Sequence, residues 1–321
     1  MERVKETVAF NMEQSTIIKG IAALCVVLAH YSLWLDKYVP YQDLLILYPF
    51  KQLGGIGVLI FFFLSGYGIY LSSCKQECSF KWLIKRVTNV WFPYIFMKLI
   101  LETLYYLVNG LADFSILDSI KEILGLNLSD WFVVVILLQY MIFWLAWTLV
   151  PQRRIFFTFV LSIVMMVLFV ICEMEARWYN GLLLFWFGLL VAKEQKVIIA
   201  FLNRNYILKT IVSAIGFVIM SILYVVCKGN LWAELIKICS GMILCIFIIL
   251  ICIQVNVTSS ILRWLGNRSL YVYIVHINLW SIIAQKVTDG TVLLICNVVV
   301  MLILTELTYR LYQFMDKRKY I

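Results

Sequence analysis

The chain contains only two histidines, His30 and His276, and both lie in strongly apolar stretches. An ionisable group in such a setting is costly and is read first as functional. A neutral imidazole, with an unperturbed pKa of about 6.5, can take a proton from an alcohol and return it later. A third ionisable group sits nearby in depth. Lys98 and Glu102 are spaced i, i+4 in another apolar stretch, so on a helix they share a face and can pair. Lys19 precedes His30 by eleven positions, which is about 16 Å along a helix. Glu102 lies about 20 Å from the start of its own helix at the same rise per residue. The two depths match, so Glu102 is a candidate to orient the His30 imidazole, as the third member of a catalytic triad does. The other ionisable pair, Glu306 and Arg310, repeats the i, i+4 spacing near the end of the last apolar run and reads as an interfacial ion pair.

The elements that carry these groups are membrane helices. Of 321 residues, 64% are hydrophobic and only 14% are charged. A water-soluble domain carries about 25% charged residues, and this chain has too few to cover one core. A disordered or collagen-like chain is excluded by the same numbers. The expected fold class is therefore all-α: a polytopic membrane helix bundle, residues 1–321 forming a single integral-membrane domain. A spanning helix needs about 20 mainly apolar residues. Ten such stretches are present, at about 16–35, 56–73, 88–108, 131–150, 155–173, 178–193, 206–227, 231–254, 268–286 and 291–313.

Orientation follows from the basic residues, because cytoplasmic loops carry the excess of Lys and Arg. With the N-terminus inside, nineteen of the 27 basic residues fall in inner segments and seven in outer ones. Both termini are then cytoplasmic, and the expected location is the cell membrane, crossed many times. The formal net charge of +9 is explained by this bias and by attraction to anionic lipid. It does not indicate nucleic acid, since no solvated basic domain exists to hold one.

Nine cysteines suggest no disulfide framework, because most sit in apolar runs where Cys acts as a small hydrophobe. Cys74 and Cys78 form a CxxxC with no second ligand pair, so no metal site is expected. Gly54, Gly55 and Gly57, with Ser65, Gly66 and Gly68, mark a second span built for close helix contact.

Taken together, several segments resemble the acyltransferase-3 family of integral-membrane O-acyltransferases. "KGIAALCVVLAHY" (19–31) is similar to the family's first-helix pattern of an Arg, ten residues and a His, with Lys19 standing in the Arg position. "GGIGVLIFFFLSGYGIY" (54–70) resembles its Gly, Phe-Phe and Ser-Gly-Tyr signature. "FKWLIKRVTNVWFPY" (80–94) resembles its basic segment ending in Pro-Tyr, with Arg86 in place and Asn89 where a second Arg often stands. "SDWFVVVILLQY" (129–140), "FWFGLLVAKEQK" (185–196) and "LGNRSLYVYIVHINLW" (265–280) follow in order.

The resemblance implies transfer of an acetyl or other acyl group from acyl-coenzyme A to a hydroxyl of a cell-surface glycan or another acceptor. It implies His30 as general base and His276 as a further catalytic candidate, beside Glu102, which is a candidate from its depth alone. Lys19, Lys85 and Arg86 would receive the phosphates of the acetyl-coenzyme A donor, although Arg suits phosphate better than Lys. Ser65, Tyr67 and Asn278 are candidates to stabilise the oxyanion. Acceptor contacts are expected from outer loops 36–55 and 109–130. The competing reading is a transporter or flippase for a lipid-linked sugar or small solute. Against it stands the lack of paired Gly/Pro-broken spans in equivalent halves.

Overall fold

A computed structural model describes residues 9–38, 50–110, 115–126 and 130–317. Among the described residues the regular structure is entirely helical, with no strand. Thirteen α-helices follow one another: α1 (Met12–Tyr38), α2 (Leu53–Ser73), α3 (Phe80–Asn109), α4 (Ile116–Leu124), α5 (Trp131–Leu149), α6 (Arg154–Ile171), α7 (Leu182–Lys193), α8 (Gln195–Asn203), α9 (Tyr206–Val226), α10 (Leu231–Gln254), α11 (Ser260–Asn267), α12 (Ser269–Ile283) and α13 (Gly290–Lys317). Arg3, Lys5, Arg318 and Lys319, expected to be cytoplasmic, and much of the expected outer loop 36–55, lie outside the described residues.

Seven of these helices are long and apolar enough to cross a membrane: α1, α2, α5, α6, α9, α10 and α13. That makes the protein a multi-pass membrane helix bundle, as expected. The other three expected spans are helical but fall short for identifiable reasons. α3 has 30 residues, but Lys85, Arg86, Lys98 and Glu102 interrupt its apolar character. α7 has 12 residues and α12 has 15, about 18 and 22 Å of helix, less than the hydrocarbon core of about 30 Å. Three short helices, α4, α8 and α11, occupy stretches read as loops.

By contacts the chain divides into two compact, discontinuous units. The first comprises Met1–Lys19, Val58–Ile84 and Val135–Arg263; the second comprises Gly20–Gly57, Lys85–Val134 and Trp264–Ile321.

In the first unit, α2 and α7 meet at backbone distance. A Cβ on Gly66 would lie 1.9 Å from the Phe185 carbonyl oxygen, and one on Gly188 would lie 2.1 Å from the Phe63 carbonyl oxygen. Only glycine permits that approach from both sides, and in lipid such packing drives helix association. Gly68 has open space around it and plays no part. α9 packs along α10, and α6 along α7. α9 turns most of its surface outward, with only 6% of its apolar window buried, as suits a helix facing lipid.

In the second unit, the start of α2 lies against α1. A Cβ on Gly57 would meet the Ala22 carbonyl oxygen at 2.5 Å, and one on Gly54 would meet Ala29 Cβ at 2.9 Å. The residue after Ala29 is His30. α12 packs along α13. The start of α12 is pinned by ionic contacts. Glu306 Oε2 accepts from Arg268 Nε at 2.6 Å and from Trp264 Nε1 at 2.9 Å, while Oε1 accepts from Arg310 Nε at 2.5 Å. The expected Glu306–Arg310 pair is therefore present as part of a larger clamp.

Candidate active site

Both histidines belong to the second unit, and their side chains meet. His30 Nδ1 and His276 Nε2 are 2.8 Å apart, and the rings stack with centroids 5.0 Å apart at 27°. His30 comes from the C-terminal half of α1 and is half-buried. His276 comes from the middle of α12 and is fully buried. Tyr273 closes one side of His276 in an edge-on contact, and Phe132 packs on Tyr273. Tyr31, next to His30, stands edge-on to Trp280.

The hydrogen bonds assign the tautomers. His276 Nδ1 lies 2.8 Å from the Val272 carbonyl oxygen, one helical turn back. A carbonyl oxygen only accepts, so Nδ1 of His276 carries a hydrogen. In the neutral ring Nε2 is then the acceptor, and it must receive its hydrogen bond from His30 Nδ1–H. That leaves the lone pair of neutral His30 on Nε2. A carbonyl, a buried imidazole and a half-buried imidazole thus form a directed chain that ends in a basic nitrogen.

Beside this pair lies a buried ion network. Lys98 is 2% exposed. Its Nζ pairs with Glu122 Oε1, with Asp130 Oδ2 at 2.6 Å, and donates to Asn278 Oδ1 at 3.1 Å. Tyr94 donates its hydroxyl hydrogen to Asp130 Oδ2 at 3.0 Å. Asn278 Nδ2 donates to the Ile274 carbonyl on its own helix. Two carboxylates and an amide oxygen around one ammonium supply the compensation that a charge in a low-dielectric interior needs.

Glu122 arrives there because α4 is capped at both ends. Ser115 Oγ accepts from Asp118 N at the start. At the end Gly125 adopts φ 76°, with Gly125 N–H on Glu122 O and Leu126 N–H on Lys121 O. This is the left-handed closure that glycine suits. A Cβ on Gly125 would also come within 3.1 Å of the Tyr94 hydroxyl.

The structure redistributes the expected site residues. His30 and His276 come together. Glu102 does not take the orienting role expected of it: its Oε1 accepts from Ser119 Oγ at 3.0 Å, and His276 occupies the position against His30 Nδ1. The expected Lys98–Glu102 pairing is likewise replaced by Lys98 with Glu122 and Asp130. The reason is tertiary. The i, i+4 rule finds local partners, whereas α4 and the start of α5 deliver two carboxylates from further along the chain. Tyr94, Glu122 and Asp130 were missed as site residues. A buried lysine demands a counter-charge, and that demand was the available signal.

Among the oxyanion candidates, Asn278 belongs to the network, and its Oδ1 accepts from Lys98. Tyr67 lies in the first unit, where its hydroxyl donates to Gln195 Oε1 at 2.8 Å. Ser65 lies in the first unit too. Of the cationic candidates, Lys85 is exposed and Arg86 half-buried at the start of α3 in the second unit, while Lys19 is half-buried on α1 in the first.

An all-helical membrane protein with a hydrogen-bonded histidine pair inside one of its helical units is the class that fold and site define. A family model described as an acyltransferase domain matches residues 13–310. The chain belongs to this acyltransferase-3 family and is a membrane acyltransferase. No curated protein and no solved structure is significantly similar to it.

Proposed function

We propose that the protein transfers an acyl group, acetyl in the first instance, from acyl-coenzyme A to a hydroxyl of a cell-surface or exported glycan, working in the cell membrane. The observation that carries this reading is the Val272–His276–His30 chain, which holds the His30 lone pair on Nε2. Nε2 of His30 takes the acceptor's hydroxyl proton as that oxygen bonds to the thioester carbon. The carbonyl becomes a tetrahedral oxyanion. It collapses by breaking the carbon–sulfur bond, and the imidazolium returns its proton to the departing thiolate. The products are an ester and coenzyme A thiol, with the imidazole restored.

General base catalysis of this kind contributes about 10²- to 10⁴-fold. Positive charge at the donor's phosphates would come from Lys19, Lys85 and Arg86, the residues to which the family resemblance assigns that role. The pair's burial suits the reaction, because excluding water protects a thioester from hydrolysis. The acyl group, the acceptor class and the membrane follow from the family resemblance and the positive-inside pattern.

The test is purified protein in lipid nanodiscs with acetyl-coenzyme A and a glycan acceptor, following release of free thiol and formation of acetyl ester. His30→Ala protein that inserts and folds should transfer no acetyl group above background. Full activity in that variant would remove His30 from the mechanism. Mass spectrometry of surface glycans from cells with and without the gene then identifies the acceptor.

A further inference from the structure

The first unit contains a groove of about 620 Å³ lined by Tyr70, Arg153, Arg154, Phe159, Trp186 and Lys193, among others. It lies where α2 and α7 end and α6 begins, which the positive-inside pattern reads as the cytoplasmic surface of the membrane. Its rim is cationic. Lys193 shares its charge with Glu194 at 3.1 Å. Among the described residues neither Arg153 nor Arg154 meets a carboxylate. Arg154 rests instead on the Trp147 ring at 4.4 Å. The first turn of α6 faces the same groove through Arg154, Ile155 and Phe156, and no side chain caps it. Its open N–H groups and the helix dipole favour an anion.

The floor is different in character. The Tyr70, Phe159 and Trp186 rings form an apolar wall, with Phe159 and Trp186 4.7 Å apart. Alongside, α6 turns its apolar side chains outward: Phe156 is 62% exposed, and only 11% of the helix's apolar window is buried.

A cationic rim beside an uncapped helix start calls for a phosphate. An aromatic floor that continues onto a lipid-facing helix calls for an acyl chain. We infer that this groove binds one anionic phospholipid of the cytoplasmic leaflet. The phosphate sits between Arg153, Arg154 and the first turn of α6, with one chain lying along Phe156 and Phe159. Neither histidine lines this groove, and the site does not depend on the acyl-transfer reading.

Native mass spectrometry of the full-length protein in detergent, titrated with phosphatidylglycerol or phosphatidylcholine, tests this. The wild type should retain one phosphatidylglycerol at least tenfold more tightly than phosphatidylcholine. Arg153→Gln/Arg154→Gln should lose that preference, and Arg154→Gln alone should weaken it several-fold. Matching helix content by circular dichroism ensures that each variant is folded. Equal retention of the two lipids, or wild-type retention in either variant, overturns the proposal. So does stoichiometric displacement of phosphatidylglycerol by coenzyme A, which would make the groove a nucleotide site.

Discussion

Lys98 and Asn278 are joined by a 3.1 Å hydrogen bond from ammonium to amide oxygen. Asn278 stands two residues after His276 on α12, so an ion network made by α3, α4 and α5 grips the helix that carries the buried imidazole. That link is the basis for the prediction that Lys98 positions the histidine pair.

Replacing Lys98 by Met leaves Asp130 and Glu122 without their cation. Removing one partner of a buried pair costs about 3–5 kcal/mol. Lys98→Met should lower the midpoint of thermal unfolding in detergent markedly. Asn278→Ala removes the link from Lys98 to α12, together with the side chain's bond to the Ile274 carbonyl on the same helix. It should lower kcat more than it raises KM while the unfolding midpoint changes little. A purely structural network would shift the midpoint in both variants and leave kcat of the folded fraction intact.

His276→Ala removes the acceptor that holds His30 Nδ1–H in place. Acyl transfer should fall by about 10²-fold or more, the lower range for loss of a working acid–base group. His276→Gln, which offers an amide oxygen, should recover part of that loss. Thiol release under single-turnover conditions measures both.

Glu102 gives a contrasting expectation. Its contact is with Ser119 Oγ, and a glutamine oxygen accepts that hydrogen bond as well. Glu102→Gln should keep kcat within about threefold of wild type, since the hydrogen bond from Ser119 is retained. A fall as deep as that of His30→Ala would restore Glu102 as the orienting group.

Gly66 and Gly188 should resist substitution where Gly68 does not. An added methyl at either of the first two would collide with a carbonyl oxygen of the facing helix. Overpacking of this kind costs about 1–3 kcal/mol. Gly66→Ala and Gly188→Ala should each reduce the yield of folded protein on size-exclusion chromatography, while Gly68→Ala should match wild type.

Much of this fold was legible because lipid imposes long apolar runs, and α1, α2, α5, α6, α9, α10 and α13 carry them. α3, α7 and α12 were read as full spans, but charge within α3 and the shortness of α7 and α12 set them apart from the other seven. The amphipathic helices α4 and α11 were missed, since eight or nine residues give too little periodicity to stand out from a loop. At the site, rarity made the two histidines conspicuous. Their contact across 246 residues left no local trace. Glu122 and Asp130 stayed hidden for the same reason. A spacing rule reads neighbours on one helix, whereas the counter-charge for Lys98 comes from the next two.

The hydrogen bond from His276 to the Val272 carbonyl has a consequence for bioenergetics. An amide oxygen does not relay protons, so the wire stops there. In the proposed reaction a proton lifted from the incoming alcohol therefore returns to the sulfur rather than passing on through Val272. Turnover in the proposed reaction is accordingly electroneutral with respect to this pair, and collapsing the transmembrane pH gradient should leave the rate of acyl transfer unchanged.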